Sequence, residues 1–238
     1  MSSPPTILLH QASKTVKIAN HYRSVLLPTS VTITATGKTA LFGSSQRDTR
    51  ILLNMIAGLT LPSSGKRYTT VRVSFPVGTL PGAQRDLSLR HNIAHVARLY
   101  GHDVDQTIRF IEGMLDIGAD FEKPYAIVHP NVAQLFRYIL GLALSFEFYV
   151  LASPPPVRGT HFSSARARCY QLFQHRASVA GMILAANRPN FAYQYCDKSL
   201  VLHEGSLTSF ESPQEGWRFA EQCMAQVDPD EMGSPEDD

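Results

Sequence analysis

Short runs of apolar and β-branched residues alternate along the chain with longer segments whose apolar positions recur every three to four residues. Alternation of this kind is the pattern of an α/β protein built on a largely parallel sheet. The runs predict strands near 7–10, 31–34, 39–42, 70–75, 148–151, 179–185 and 199–202. Apolar stripes predict helices at 49–57, 89–100, 104–115, 132–145, 163–174 and 213–225. Early strands precede the α/β part and are expected to pair antiparallel. Segment 86–145 is mostly helical and lies between strand-rich parts, so a helical subdomain inserted into an α/β core is expected, with the core formed by 1–85 and 146–210 and a C-terminal helix at 211–227. The last eleven residues, Asp228 to Asp238, hold six acidic residues and two prolines. They offer too little apolar surface to offset their ordering entropy, and a disordered tail is expected there.

Composition narrows the function classes more than it selects one. A chain of 238 residues with 44% hydrophobic and 18% charged residues is an ordinary globular sequence with room for one large domain. Lys and Arg are scattered and the formal charge is only +2, so no nucleic-acid partner is expected. Cys169, Cys196 and Cys223 are widely spaced and form no ligand pattern, which predicts reduced thiols in a cytoplasmic protein and no metal site. The start Met1-Ser2-Ser3-Pro4-Pro5 lacks the basic and apolar parts of a signal peptide, and no apolar run reaches the length of a membrane span. Membrane contact is therefore expected to be peripheral. His91 and His95 are four apart on a predicted helix, but no acidic residue completes a metal-binding motif, and a solvated or packed face is expected. The clusters Phe146-Phe148-Tyr149 and Phe191-Tyr193-Tyr195 lack interleaved basic residues and are read as core that packs a sheet. No Ser/His/Asp set can be assembled, which speaks against a hydrolase.

One junction has the context of a phosphate loop. The strand Thr39-Ala40-Leu41-Phe42 leads into Gly43-Ser44-Ser45-Gln46-Arg47-Asp48-Thr49-Arg50 and then an apolar helical run. A working loop of this type, G-x-x-x-x-G-K-[ST], wraps backbone N–H groups around phosphates, neutralises them with Lys and holds Mg²⁺ through the hydroxyl. Here Gly43 keeps the first position, while Asp48 stands for the second glycine, Thr49 for the lysine and Arg50 for the hydroxyl. Two readings are open: an N-capped helix after a strand, or a weakened anion site in which Arg47 or Arg50 supplies the cation.

Further along, Ile56-Ala57-Gly58-Leu59-Thr60-Leu61-Pro62-Ser63-Ser64-Gly65, then Phe75-Pro76-Val77-Gly78, and Leu87-Ser88-Leu89-Arg90-His91-Asn92-Ile93 through Val96-Ala97-Arg98-Leu99-Tyr100-Gly101 occur in order and with compatible spacing. Together they resemble the ATP-binding subunits of ABC transporters, in the branch that exports capsular polysaccharide, over residues 7 to 225. The resemblance implies a P-loop NTPase-like ABC nucleotide-binding domain with an inserted helical subdomain and an N-terminal antiparallel β part. It also implies where functional residues should lie, and most are replaced. The signature segment falls on His129-Pro130-Asn131-Val132. The Walker B strand, 148–151, is followed by Ala152-Ser153 where Asp-Glu would serve Mg²⁺ and the attacking water. Gly159 stands at the D-loop acid, Asn187 at the switch histidine, and Val16 at the aromatic that would stack on adenine. Neither Ala152 nor Ser153 offers a metal-binding carboxylate or a base near neutral pH.

The resemblance thus implies a pseudo-ATPase: no catalytic residue, no obligatory cofactor and at most weak ATP binding. Its expected partners are the membrane permease of an ABC-2 type exporter and a homo- or heterodimer with an ABC ATPase subunit, at the cytoplasmic face of the inner membrane. Docking is expected through the segment around 75–100. A divergent but active polysaccharide-export ATPase and a repurposed domain that regulates glycan synthesis are the alternatives.

Overall fold

A computed structural model describes residues 5–225 apart from 81, 158 and 160. The acidic tail at 228–238 and the last two residues of the expected segment 211–227 lie outside the described residues. Strands β1 (Thr6–Ile18), β2 (His21–Thr34) and β4 (Ser64–Thr69) form an antiparallel three-stranded sheet in the order β2-β1-β4. A five-stranded sheet has the order β5 (Phe148–Leu151), β6 (Gly181–Ala185), β3 (Lys38–Gly43), β7 (Lys198–His203), β8 (Ser206–Phe210). Strands β5, β6, β3 and β7 run parallel and β8 pairs antiparallel with β7.

The four parallel strands read as near-continuous apolar runs because both faces of the sheet are covered. Leu41, Phe148, Val150, Ile183, Leu200 and Leu202 point to one side, where they pack with Ile7, Leu9, Leu26 and Ile33 of the antiparallel sheet and with Leu52, Leu53, Met55 and Ile56 of α1 (Gln46–Ala57). Phe42, Tyr149, Leu151, Met182, Leu184 and Val201 point to the other, into a cluster shared with α2 (Leu89–Leu99), α3 (Val104–Leu115), α4 (Pro130–Ala143), α5 (Ser163–Val179), α6 (Pro189–Tyr195) and α7 (Pro213–Ala225). Residues 86–145 hold α2, α3 and α4 with two short 3-10 turns at Gly118–Glu122 and Tyr125–Ile127.

Local chemistry sets the ends of these elements. Ser88 and Asp103 accept hydrogen bonds from His91 and Gln106 N–H and so cap α2 and α3. Pro130 opens α4 at a position where its missing N–H costs nothing. Gly58 closes α1 at φ 83° and donates to Asn54 and Met55 carbonyls.

Three expectations are corrected. The strand expected at 70–75 is replaced by β4 just before it, and residues 74–77 run beside β5 through separate bonds rather than a ladder: Ser74 N–H to Phe148 O at 2.9 Å and Val77 N–H to Val150 O at 2.7 Å. Pro76 between them has no N–H to give. The aromatics at 191, 193 and 195 sit on helix α6 instead of packing a sheet; Phe191 and Tyr195 meet Phe173 of α5, and Tyr193 is exposed. Strands β1 and β2 extend far past the expected 7–10 and 31–34, carrying register shifts between Leu9 and Thr15.

Candidate functional site

The junction of β3 and α1 places the phosphate-loop positions. Gly43 ends β3, Ser45 is the N-cap of α1, and the helix is already formed at Gln46. Only Ser44 and Ser45 separate strand from helix. Ser45 Oγ accepts from Asp48 N–H at 3.2 Å, and Thr49 Oγ1 donates to Ser45 O at 2.8 Å. These bonds use the first turn's free groups locally. A side chain at Gly43 would meet Thr49 Oγ1 at 2.4 Å, so glycine is required there by close packing against Thr49.

Asp48 is turned inward and is only 9% exposed. Its carboxylate takes both arms of the Arg23 guanidinium, with Arg23 Nη1 at 2.6 Å from Asp48 Oδ2 and Nη2 bonded to Oδ1. The fork geometry is the strong, bidentate form of the Arg–carboxylate pair. Hydrogen bonding to Asp48 holds the Arg23 guanidinium above its ordinary pKa. Arg23 lies on β2 opposite Val16 of β1, so the strand position expected to face a base belongs to a hairpin tied to the start of α1. Gln46, Arg47 and Arg50 are exposed.

At the other positions the chain gathers side chains with no carboxylate among them. Strand β5 is wholly buried and ends in the turn Ala152-Ser153. Tyr138 of α4 anchors that turn: its hydroxyl donates to Ser153 O at 2.7 Å and Pro154 O at 2.9 Å, and it also meets Ser153 Oγ. Burial pushes the Tyr138 phenol up to about 12. His129 is the N-cap of α4, with its Nδ1 accepting from Asn131 N–H at 3.2 Å, and its ring lies against His161 and Phe162. Val132 is buried in the core. Asn187 follows β6 and is exposed.

Asn131, Ser153, Gly159 and Asn187 line one cleft of about 780 Å³ outside the carboxyl ends of β5 and β6. Residues 43–50 do not line it, because they follow β3, the next strand over. Open α/β sheets commonly place ligands outside the carboxyl ends of their strands.

Three residues that shape these places carry no motif. Arg23 stands out only once β1 and β2 are paired, since it then faces Val16 and α1. Tyr138 and Arg166 sit within helical runs where nothing in the spacing separates them from packing residues. Their signal is structural: a buried polar group with several bonds to a loop. His91 binds the Ser88 hydroxyl at 2.8 Å and His95 is exposed. Among the described residues no group of His, Cys, Asp and Glu could hold a metal ion, and no helix is long and apolar enough to cross a membrane.

The arrangement of sheets and helices matches solved structures of ABC ATP-binding domains. The ATP-binding cassette MJ0796, in a dimeric post-hydrolysis state bound to ADP and Pi, aligns with a TM-score of 0.66 at 14% identity over 86% of this chain and 98% of that one. The ATP-binding subunit of an ABC transporter aligns with the same TM-score at 16% identity over 94% of this chain and 96% of its own. In sequence, the chain is 27% identical over 213 residues to the polysialic acid transport ATP-binding protein KpsT of Escherichia coli, covering 84% of this chain and 94% of that protein. It is 24% identical over 214 residues to the capsule polysaccharide export ATP-binding protein CtrD of Neisseria meningitidis, covering 90% and 97%. The ATP-binding protein BexA of Haemophilus influenzae is 24% identical over 183 residues. No family model matches the chain. The chain has the fold of an ABC-transporter nucleotide-binding domain, and along most of its length it is similar in sequence to ATP-binding proteins of capsule polysaccharide export.

Proposed function

We propose that the chain is a non-catalytic, nucleotide-binding-domain-like subunit of a capsular-polysaccharide or related glycan export or assembly complex, acting as a scaffold or regulator. The observation that carries this reading is the Asp48–Arg23 pair at the start of α1. A nucleotide polyphosphate seated on that helix start would meet a carboxylate at the point where its own negative charge must go. To admit it, Asp48 would have to leave its guanidinium partner and the favourable field at the helix N-terminus. Positioning and charge stabilisation together supply almost all of phosphoryl-transfer catalysis. The residues do not fit Mg²⁺-ATP: Thr49 is locked to Ser45, Ala152-Ser153 follow β5 without a carboxylate, and Asn187 has no titratable group. The role left to the chain is to hold partners, namely a membrane permease and a second ATP-binding subunit at the cytoplasmic face of the membrane. The segment around 75–100 is the docking face in this reading.

A divergent transport ATPase is the second reading. It is favoured by the exposed cations Arg47 and Arg50 near the start of α1 and by the ATP-binding role in the names of the relatives. Equilibrium binding of ATP and a non-hydrolysable analogue with Mg²⁺, beside affinity capture from native membranes, separates the two. The scaffold reading expects capture of a permease without nucleotide binding. Tight Mg²⁺-dependent binding with turnover overturns it. Capture of soluble glycan enzymes alone moves the chain to the regulation of glycan synthesis.

A further inference from the structure

The cleft outside β5 and β6 has a lining that the scaffold role does not use. Among its described residues stand Arg166 and Arg188, the amides Gln134, Asn187 and Asn190 and the ring of Phe191, with no Asp or Glu. Arg166 is 6% exposed. Its guanidinium donates to His161 O at 3.0 Å, Pro156 O at 3.1 Å and Asn131 Oδ1 at 3.1 Å, all neutral acceptors. It forms no ion pair with a carboxylate among the described residues. A buried charge is ordinarily matched by an opposite one. Here the matching charge is absent from the protein side of a cleft large enough for a small molecule. Arg188, at the N-cap of α6 and exposed, adds a second cation to the same wall.

The amides set the rest of the ligand's chemistry. Gln134, Asn187 and Asn190 make no side-chain hydrogen bond to another described residue, and each presents a donor pair and an acceptor together. Neutral amides of this kind suit hydroxyl groups, which donate and accept at once. An aromatic ring in the wall suits the C–H face of a sugar ring. We propose that this cleft binds an acidic sugar: a hydroxyl-rich ring carrying one carboxylate or phosphate, with the anionic group toward Arg166 and Arg188 and the hydroxyls toward the amides. The site shares no residue with 43–50.

The test is calorimetric titration of the full chain with glucuronate and with glucose 6-phosphate, the two sources of the anion. Glucose, acetate and inorganic phosphate serve as references. Saturable binding of at least one acidic sugar is expected, about tenfold tighter than glucose and than the matching simple anion, as a single charge-assisted hydrogen bond provides. Arg166 also holds the loop before α5, so its own substitution is not used. Arg188→Gln and Gln134→Ala remove groups outside the core, and each is expected to weaken binding about tenfold at unchanged melting temperature. Absence of saturation at millimolar sugar, equal binding of glucose or of the simple anion, or indifference to both variants overturns the proposal. Binding of ATP that depends on Arg188 overturns it as well, by assigning the cleft to nucleotide.

Discussion

Asp48 decides what the start of α1 can hold, and three interactions meet on it: the Ser45 cap, the helix dipole and the Arg23 fork. The Arg23 side chain is 42% exposed, so the ion pair itself is screened and worth less than about 1 kcal/mol. Adding a dipole contribution of about 0.3–1 kcal/mol, Asp48→Ala is expected to cost up to about 2 kcal/mol in denaturant unfolding. Arg23→Gln should cost less, and the part lost by both should shrink in high salt. A second residue gives the chain a pH signature. Burial, followed by the charges of Arg72 and Arg176, holds His102 below its ordinary value of 6.5, and its Nε2 has no hydrogen-bond partner among the described residues. With the folded-state value depressed, the unfolded chain takes up the proton first. Stability is then full above 6.5 and falls as the pH is lowered from there, which unfolding midpoints across pH 5 to 8 check. His102→Asn should flatten that slope. Protonation that left the midpoint unchanged would remove the assignment. The thiols give a third test. Burial pushes Cys169 and Cys196 up to about 12, so a thiolate-selective reagent at mild alkaline pH should label them only as fast as the chain opens.

At the scale of elements, close approaches rather than caps set the tightest constraints. An added methyl at Gly141 of α4 would lie 2.9 Å from Val77 Cγ2 and 3.0 Å from Cγ1, so the helix touches the segment beside β5 with no room to spare. Gly141→Ala is expected to destabilise by about 1–3 kcal/mol through overpacking, and Val77→Ala in the same chain should recover part of it. At Gly181, where β6 starts, the methyl would be 2.0 Å from the Ala35 carbonyl, a backbone atom that cannot rotate away, and alanine there should disrupt folding. These constraints also show what the sequence could tell. The parallel strands β3, β5, β6 and β7 were legible because burial on both faces makes them continuous apolar runs. The strand β4, Ser64-Gly-Lys-Arg-Tyr-Thr, has no such run, because it is an edge strand exposed along nearly all its length. Strand β8 and the seven-residue α6 are short and weakly patterned for the same reason: one face of each meets solvent. The candidate site divides similarly. Positions after a strand, such as 43–50, 152–153 and 187, could be located by order along the chain. Arg23, Tyr138 and Arg166 act across the fold, through pairings that no local spacing encodes.

On the scale of the whole molecule, the sheets and helices are arranged as in the fold of ABC nucleotide-binding domains, and the strand ends are held by contacts within the chain. Gly43 leaves room for Thr49, the helix start is filled by Asp48 and Arg23, and β5 ends in a turn tied down by Tyr138. All of these are interactions within the chain, so they stabilise it without ligand. A ligand that binds the folded state alone raises stability by about 2.7 kcal/mol at a hundred times its dissociation constant. For a domain of this size that is a rise of about 5–10 °C in melting temperature. With Mg²⁺-ATP in millimolar excess the scaffold reading expects no such rise. Asp48→Gly combined with Thr49→Lys restores a glycine and a lysine to the loop and releases Arg23, and this double variant is expected to lose stability alone but to gain a nucleotide-dependent shift. A shift in the unaltered chain of the size given above would mean that Asp48 yields to phosphate, and the divergent ATPase would then be the better account of the protein.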